Sequence, residues 1–146
     1  MYTIDASVYA RDFDVRDPEH APCRALLARL AADATPVIVP LLLLAEISAT
    51  ISRERHDPIA ARLAVDAIRA QPHLHLVPLD DALAQEAAGL AADYALRGAD
   101  AVYVALARRY DCILVSLDRE QRERPAAIVT TRTPAEVLAE LTSSAS

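Results

Sequence analysis

Four carboxylates in this chain stand where apolar segments begin or end, positions from which acids can do chemistry. Asp5 closes the run Thr3-Ile4-Asp5-Ala6-Ser7, where an apolar segment delivers a carboxylate to a loop with a hydroxyl two residues on. Glu46 lies inside Pro40-Leu41-Leu42-Leu43-Leu44-Ala45-Glu46-Ile47, apolar on almost every side, so its charge requires a partner. Asp100 opens the apolar stretch through Ala105, and Asp118 follows the run from Cys112 to Ser116, again close to a hydroxyl. Each has an ordinary structural reading: Asp5 as an Asx turn or helix cap, Asp118 as a turn acid, Asp100 as a helix cap, Glu46 as the partner of a structural arginine. Gathered into one pocket, four such groups could not all stay ionised without a cation beside them.

Whether they are gathered depends on the elements that carry them. Short β-rich segments at Tyr2–Asp5, Val37–Val39, Leu74–Val77, Ile113–Ser116 and Ala127–Val129 are the expected strands. Between them, Pro22–Ala32, Leu41–Arg53, Pro58–Ala70, Asp81–Leu96 and Ala101–Arg109 carry apolar residues at helical spacing. Thr133-Pro134-Ala135-Glu136 has the form of a capping box with proline at the first helical position, opening a last helix to Leu141. Strands separated by helices need crossover connections, which favour an α/β fold: a three-layer α/β/α sandwich around a mostly parallel sheet of about five strands. In such sheets ligands bind beyond the carboxyl ends of the strands, where Asp5 and Asp118 are expected. One domain over residues 1–142 is expected, with Ser143–Ser146 as a frayed tail.

Composition removes several chemistries. All 15 basic residues are arginine, and only Gly89 and Gly98 are glycine. Without lysine there is no P-loop lysine and no Schiff-base enzyme; without clustered glycines there is no dinucleotide-binding turn. Cys23 and Cys112 sit in apolar stretches and are expected as reduced core thiols. The amino terminus has no charged-then-apolar leader pattern, and no stretch reaches the roughly 18 apolar residues of a membrane span, so a cytoplasmic location with no membrane partner is expected. A net charge of −6 opposes a protein that coats nucleic acid, although divalent ions in an acidic cluster would reverse the local sign.

The order and surroundings of the acids resemble the PIN-domain family, including VapC-like toxins: IDAS around Asp5, PLLLLAEI around Glu46, RGADAVYVALA around Asp100 and VSLD at Ser116 to Asp118. The resemblance spans nearly the whole chain. It implies an acidic pocket in which Asp5, Glu46, Asp100 and Asp118 are catalytic and bind Mg²⁺ or Mn²⁺, with Ser7 and Ser116 in support. Serine stands at 116 where many members carry threonine, which preserves the hydroxyl. The implied activity is endoribonucleolytic hydrolysis of single-stranded or looped RNA, leaving 5′-phosphate and 3′-hydroxyl ends. The implied partners are the RNA substrate and, for a toxin, an antitoxin protein. A homodimer is also expected, through the apolar helices Leu41–Ile51 and Pro58–Ala70.

Other residues have weaker claims. Arg97, Arg119 and Arg122 lie nearest the acids and could contact phosphate, or could be solvated surface arginines. Tyr9 and Phe13 could stack on bases, or belong to the core. His73 and His75 flank Leu74 without the further ligands zinc needs. A phospho-acceptor receiver would use a lysine, which is missing. A non-catalytic interaction domain whose acidic pocket binds a partner's arginine remains open, as does cleavage of DNA or a small phosphoester.

Overall fold

A computed structural model describes residues 1–145 of the chain. The strands are β1 (Tyr2–Ile4), β2 (Val37–Pro40), β3 (Leu74–Val77), β4 (Ile113–Val115) and β5 (Thr131–Arg132). The helices are α1 (Ala6–Asp12), α2 (His20–Ala32), α3 (Leu42–Arg55), α4 (Pro58–Arg69), α5 (Asp81–Tyr94), α6 (Gly98–Arg109), α7 (Arg119–Glu123) and α8 (Pro134–Ser144). The strands form one parallel sheet in the order β3-β2-β1-β4-β5.

The sheet divides the core in two because side chains alternate across a strand. Val37, Val39 and Val115 pack on one face with Leu26 and Leu30 of α2, Leu43 and Ile47 of α3 and Val137 of α8. Ile38 and Leu114 face the other way, against Leu83 and Leu90 of α5 and the buried run Ala101–Ala107 of α6. Helices therefore cover both faces, giving the expected three layers. Cys23 and Cys112 are both buried and free, as core thiols.

Several local expectations are met in detail. The Thr133 hydroxyl accepts from the Glu136 amide while Glu136 accepts from the Thr133 amide, completing the capping box. Asp80 caps α5 by accepting from the Leu83 amide at 2.8 Å. Others are corrected. The fifth strand is Thr131–Arg132, whereas Ala127–Val129 forms turn structure in which Ile128 and Val129 bond back to the Pro125 carbonyl. Buried Val129 made that segment look strand-like. Helix α8 runs past the expected Leu141 to Ser143 and Ser144, whose hydroxyls bond the carbonyls four residues earlier; Ser146 lies outside the described residues. Two short helices, α1 and α7, were not expected.

Helix endings show what the shortage of glycine does. Ala34, His56, Ala95 and Asp111 all adopt positive φ, between 50° and 53°. At three of these, the following amide reaches back five residues, from Thr35 to the Leu30 carbonyl, Leu96 to Ala91 and Cys112 to Ala107. That is the glycine-type helix ending built on residues with a Cβ, which strains the left-handed conformation. Replacing exposed Ala34 by glycine is therefore expected to stabilise the fold by about 0.5–1 kcal/mol, the relief exceeding the added backbone entropy of the unfolded chain. Urea unfolding of Ala34→Gly beside the parent protein measures it.

Candidate functional site

Chain order fixes where a site can form. β1 is followed by β2 and β3 on one side, then the chain returns to place β4 on the other, so a crevice opens beyond the carboxyl ends of β1 and β4. Ile4 is in register with Val115, and the Asp5 amide donates to the Val115 carbonyl at 2.9 Å. Asp5 leaves the sheet at that point and caps α1, its Oδ2 accepting from the Ser7 amide at 3.0 Å. The Ser7 hydroxyl accepts from the Leu117 amide at 3.2 Å and the Ser116 hydroxyl from the Asp118 amide at 3.0 Å. The bonds from Asp5 to Val115 and from Leu117 to Ser7 stitch the two strand ends together, and the other two are local. Asp118 then caps α7, its Oδ1 accepting from the Gln121 amide. Asp5 thus has the capping role that was one of its plain structural readings, Asp118 caps a helix where a turn was expected, and both also line the crevice.

Two helices bring the remaining acids. On α3, Glu46, Thr50 and Glu54 follow at four-residue steps along one face, and all three line the same cleft. Glu46 has a tyrosine partner rather than an arginine: the hydroxyl of fully buried Tyr103 donates to its Oε1 at 2.8 Å. On α6 the cap is Arg97, so Asp100 sits in the first turn instead of at the cap. There it faces the cleft from the positive end of the helix, one turn before Tyr103. Asp5, Glu46, Asp100 and Asp118 line a cleft of about 250 Å³ with Ser7, Arg11 and Arg97.

The electrostatics follow from that grouping. Burial, then the charges of Asp5 and Asp118, push the Asp100 carboxyl up to about 6, with Glu120 adding and Arg97 opposing. Burial likewise raises Glu46, against the lowering effect of the Tyr103 hydrogen bond, and Asp5 and Asp100 add to the rise. Negative charge in the cleft is therefore under-compensated by the chain itself. Among the described residues no group of three or more His, Cys, Asp or Glu side chains converges into a metal-holding cluster, so the acids stand apart around the cleft. The donor set, all carboxylate and hydroxyl oxygen, suits a hard divalent cation.

A PIN-domain profile matches residues 2–127. The chain belongs to the PIN-domain family. Three solved PIN-like structures illustrate the shared fold. VapC20 of Mycobacterium tuberculosis, a sarcin–ricin-loop-cleaving toxin, is 20% identical with a TM-score of 0.70, over 87% of this chain and 95% of that one. FitAcB of Neisseria gonorrhoeae is 18% identical with a TM-score of 0.69, over 92% and 99%. VapBC2 of Rickettsia felis, bound to a DNA fragment from its promoter, is 12% identical with a TM-score of 0.67, over 90% and 97%. Compared with curated protein sequences, the chain matches none.

Within this PIN fold the weaker candidates separate. Arg97 lines the cleft and, among the described residues, its guanidinium makes no hydrogen bond or ion pair, its charge reaching Asp100 only through space. Arg119 pairs with Glu123 at 2.7 Å, and Arg122 donates to the Ser116 carbonyl at 2.9 Å, so both serve the structure. Arg11, not singled out from the sequence, lines the cleft while paired with Asp17. Ser116 is fully buried and supports Asp118 from behind. Tyr9 is buried and Phe13 packs against the core, which leaves neither as a stacking platform. His73 is buried and His75 exposed, and among the described residues no third ligand groups with them. Glu54 lay beyond the expected end of its helix; Tyr103 and Gln121, which bond two of the acids, carried only the signal of spacing from Asp100 and Asp118.

The raised Asp100 carboxyl has a stability consequence. An unfolded aspartate loses its proton near 3.8 and the folded one at about 6. Between these values the folded chain holds more protons, so metal-free stability falls as pH rises and the penalty is complete above the folded value. Asp100→Asn removes it. At about pH 7.5 in EDTA the variant is expected to be more stable by on the order of 1 kcal/mol, discounted because the group is only half-buried, with no gain near pH 4. Urea titrations at the two pH values test this.

Proposed function

We propose that this PIN-domain chain is a divalent-metal-dependent endoribonuclease acting on single-stranded or looped RNA, and the toxin of a toxin–antitoxin pair. The observation that carries the reading is the convergence of Asp5, Glu46, Asp100 and Asp118 on one cleft whose negative charge the chain leaves unbalanced. These four would hold Mg²⁺ or Mn²⁺, with Ser7 and Ser116 keeping Asp5 and Asp118 in place. Mg²⁺ takes few carboxylates directly and keeps several waters, so acids spaced around an open cleft fit it. Bound there, the cation would polarise the scissile phosphate and activate the attacking water. Arg97, whose guanidinium at the cleft is unpaired among the described residues, supplies the cationic fork for a phosphate oxygen. Tyr103 fixes the Glu46 carboxylate on the cleft wall.

Support for the toxin assignment comes from the likeness in fold to VapC20 and to structures named as toxin–antitoxin assemblies. Ile59 and Leu63, one turn apart on α4 and both largely exposed, give an apolar surface for a second copy or an antitoxin. No described helix is long and apolar enough to cross a membrane.

The test is cleavage of end-labelled RNA and matched DNA by the purified protein with Mg²⁺, Mn²⁺ or EDTA. Metal-dependent cutting of RNA alone, lost in Asp100→Asn, is expected. Arg97→Gln should retain the fold and lose roughly 10-fold or more in kcat/KM, the scale of one charged hydrogen bond in the transition state. Failure of the folded parent to cut any substrate with either metal would instead favour a cleft that docks a partner's arginine.

A further inference from the structure

Gln121 is fully buried on α7, behind the cleft and outside its lining. Its side-chain Nε2 donates to Asp5 Oδ1 at 3.2 Å, and its backbone amide donates to Asp118 Oδ1, also at 3.2 Å. Among the described residues it alone hydrogen-bonds two of the four cleft acids, and those two are far apart in sequence. Its Oε1 is buried without a hydrogen-bond partner, an uncompensated desolvation that a leucine filling the same space would avoid. Packing alone does not explain the amide.

Resting on the metallonuclease reading above, we propose that Gln121 is a positioning residue for the metal site, a neutral clamp that sets the Asp5 carboxylate relative to Asp118. With Gln121 on Oδ1 and the Ser7 amide on Oδ2, each Asp5 oxygen accepts one bond from the protein and keeps a lone pair for a cation. Neutrality is the important property. An arginine or lysine at this place would orient Asp5 equally well but would neutralise it and compete with the cation; an amide orients it and leaves the charge. The polarity of the bond also fixes the amide, since the flipped Oε1 would face the carboxylate oxygen and be repelled.

The experiment is calorimetric titration of Mn²⁺ into the full chain, its Asp5→Asn variant, Gln121→Leu and Gln121→Met, with thermal unfolding of each in EDTA. The parent is expected to bind Mn²⁺ and Asp5→Asn to lose binding. Gln121→Leu should keep the parent's unfolding temperature within a few degrees while its Mn²⁺ affinity falls roughly 10-fold or more, the usual effect of removing a group that orients a ligand. Gln121→Met, unbranched and near in volume, gives the same readout if the leucine variant does not fold. Affinity within about twofold of the parent in either folded variant would overturn the positioning role and leave the metal reading intact. Absence of Mn²⁺ binding by the parent itself would overturn both.

Discussion

Carboxylates crowded into a half-dry cleft repel one another, and the rest of this structure can be understood as the means of holding them against that repulsion. The acids are not restrained by neutralising partners. Asp5 and Asp118 are tied by backbone amides through capping geometry, and Glu46 by a tyrosine hydroxyl. Neutral donors fix position and leave charge, so burial first, and then the unneutralised charges of Asp5 and Asp118, push the Asp100 carboxyl up to about 6. The scaffold opposes the repulsion with rigidity: two adjacent strands in register and two helices buried against them.

The division of the arginines follows the same constraint. A chain with net charge −6 and no lysine could have placed guanidinium groups directly on the cleft acids. Instead Arg119 and Arg124 pair with glutamates within α7 or at its end, Arg109 with Glu86, and Arg29 with Asp33. These exposed pairs contribute little stability. Their effect is to keep most of the positive charge committed elsewhere, so that the cleft stays anionic with Arg97 at its margin.

Much of this was legible in the sequence, for identifiable reasons. Acids placed directly at the ends of apolar segments revealed the cleft because a parallel sheet collects those ends on one side. The capping box at Thr133 was legible because its signal is entirely local. What was missed depended on tertiary placement. Tyr103 and Gln121 are ordinary residues of helical stretches until the sheet brings Glu46 and Asp5 to them. The two-residue strand Thr131–Arg132 is polar, recruited by pairing with β4 against its composition, whereas the more apolar Ala127–Val129 turns. Helices α1 and α7 are too short for a periodic pattern to emerge.

The strand order has a consequence for the time at which this protein becomes complete during synthesis. β1 comes first in chain order among the five strands and lies in the middle of the sheet, yet one of its two neighbours, β4, is built from residues more than a hundred positions later. A growing chain can assemble β1, β2 and β3 with their helices while the crevice beside β1 still lacks its far wall. Among the cleft acids and their partners Asp118 and Gln121 are made last, so the cleft closes only once α7 has been made. A nascent or prematurely ended chain carries Asp5, Glu46 and even Asp100 without the geometry that makes them a site.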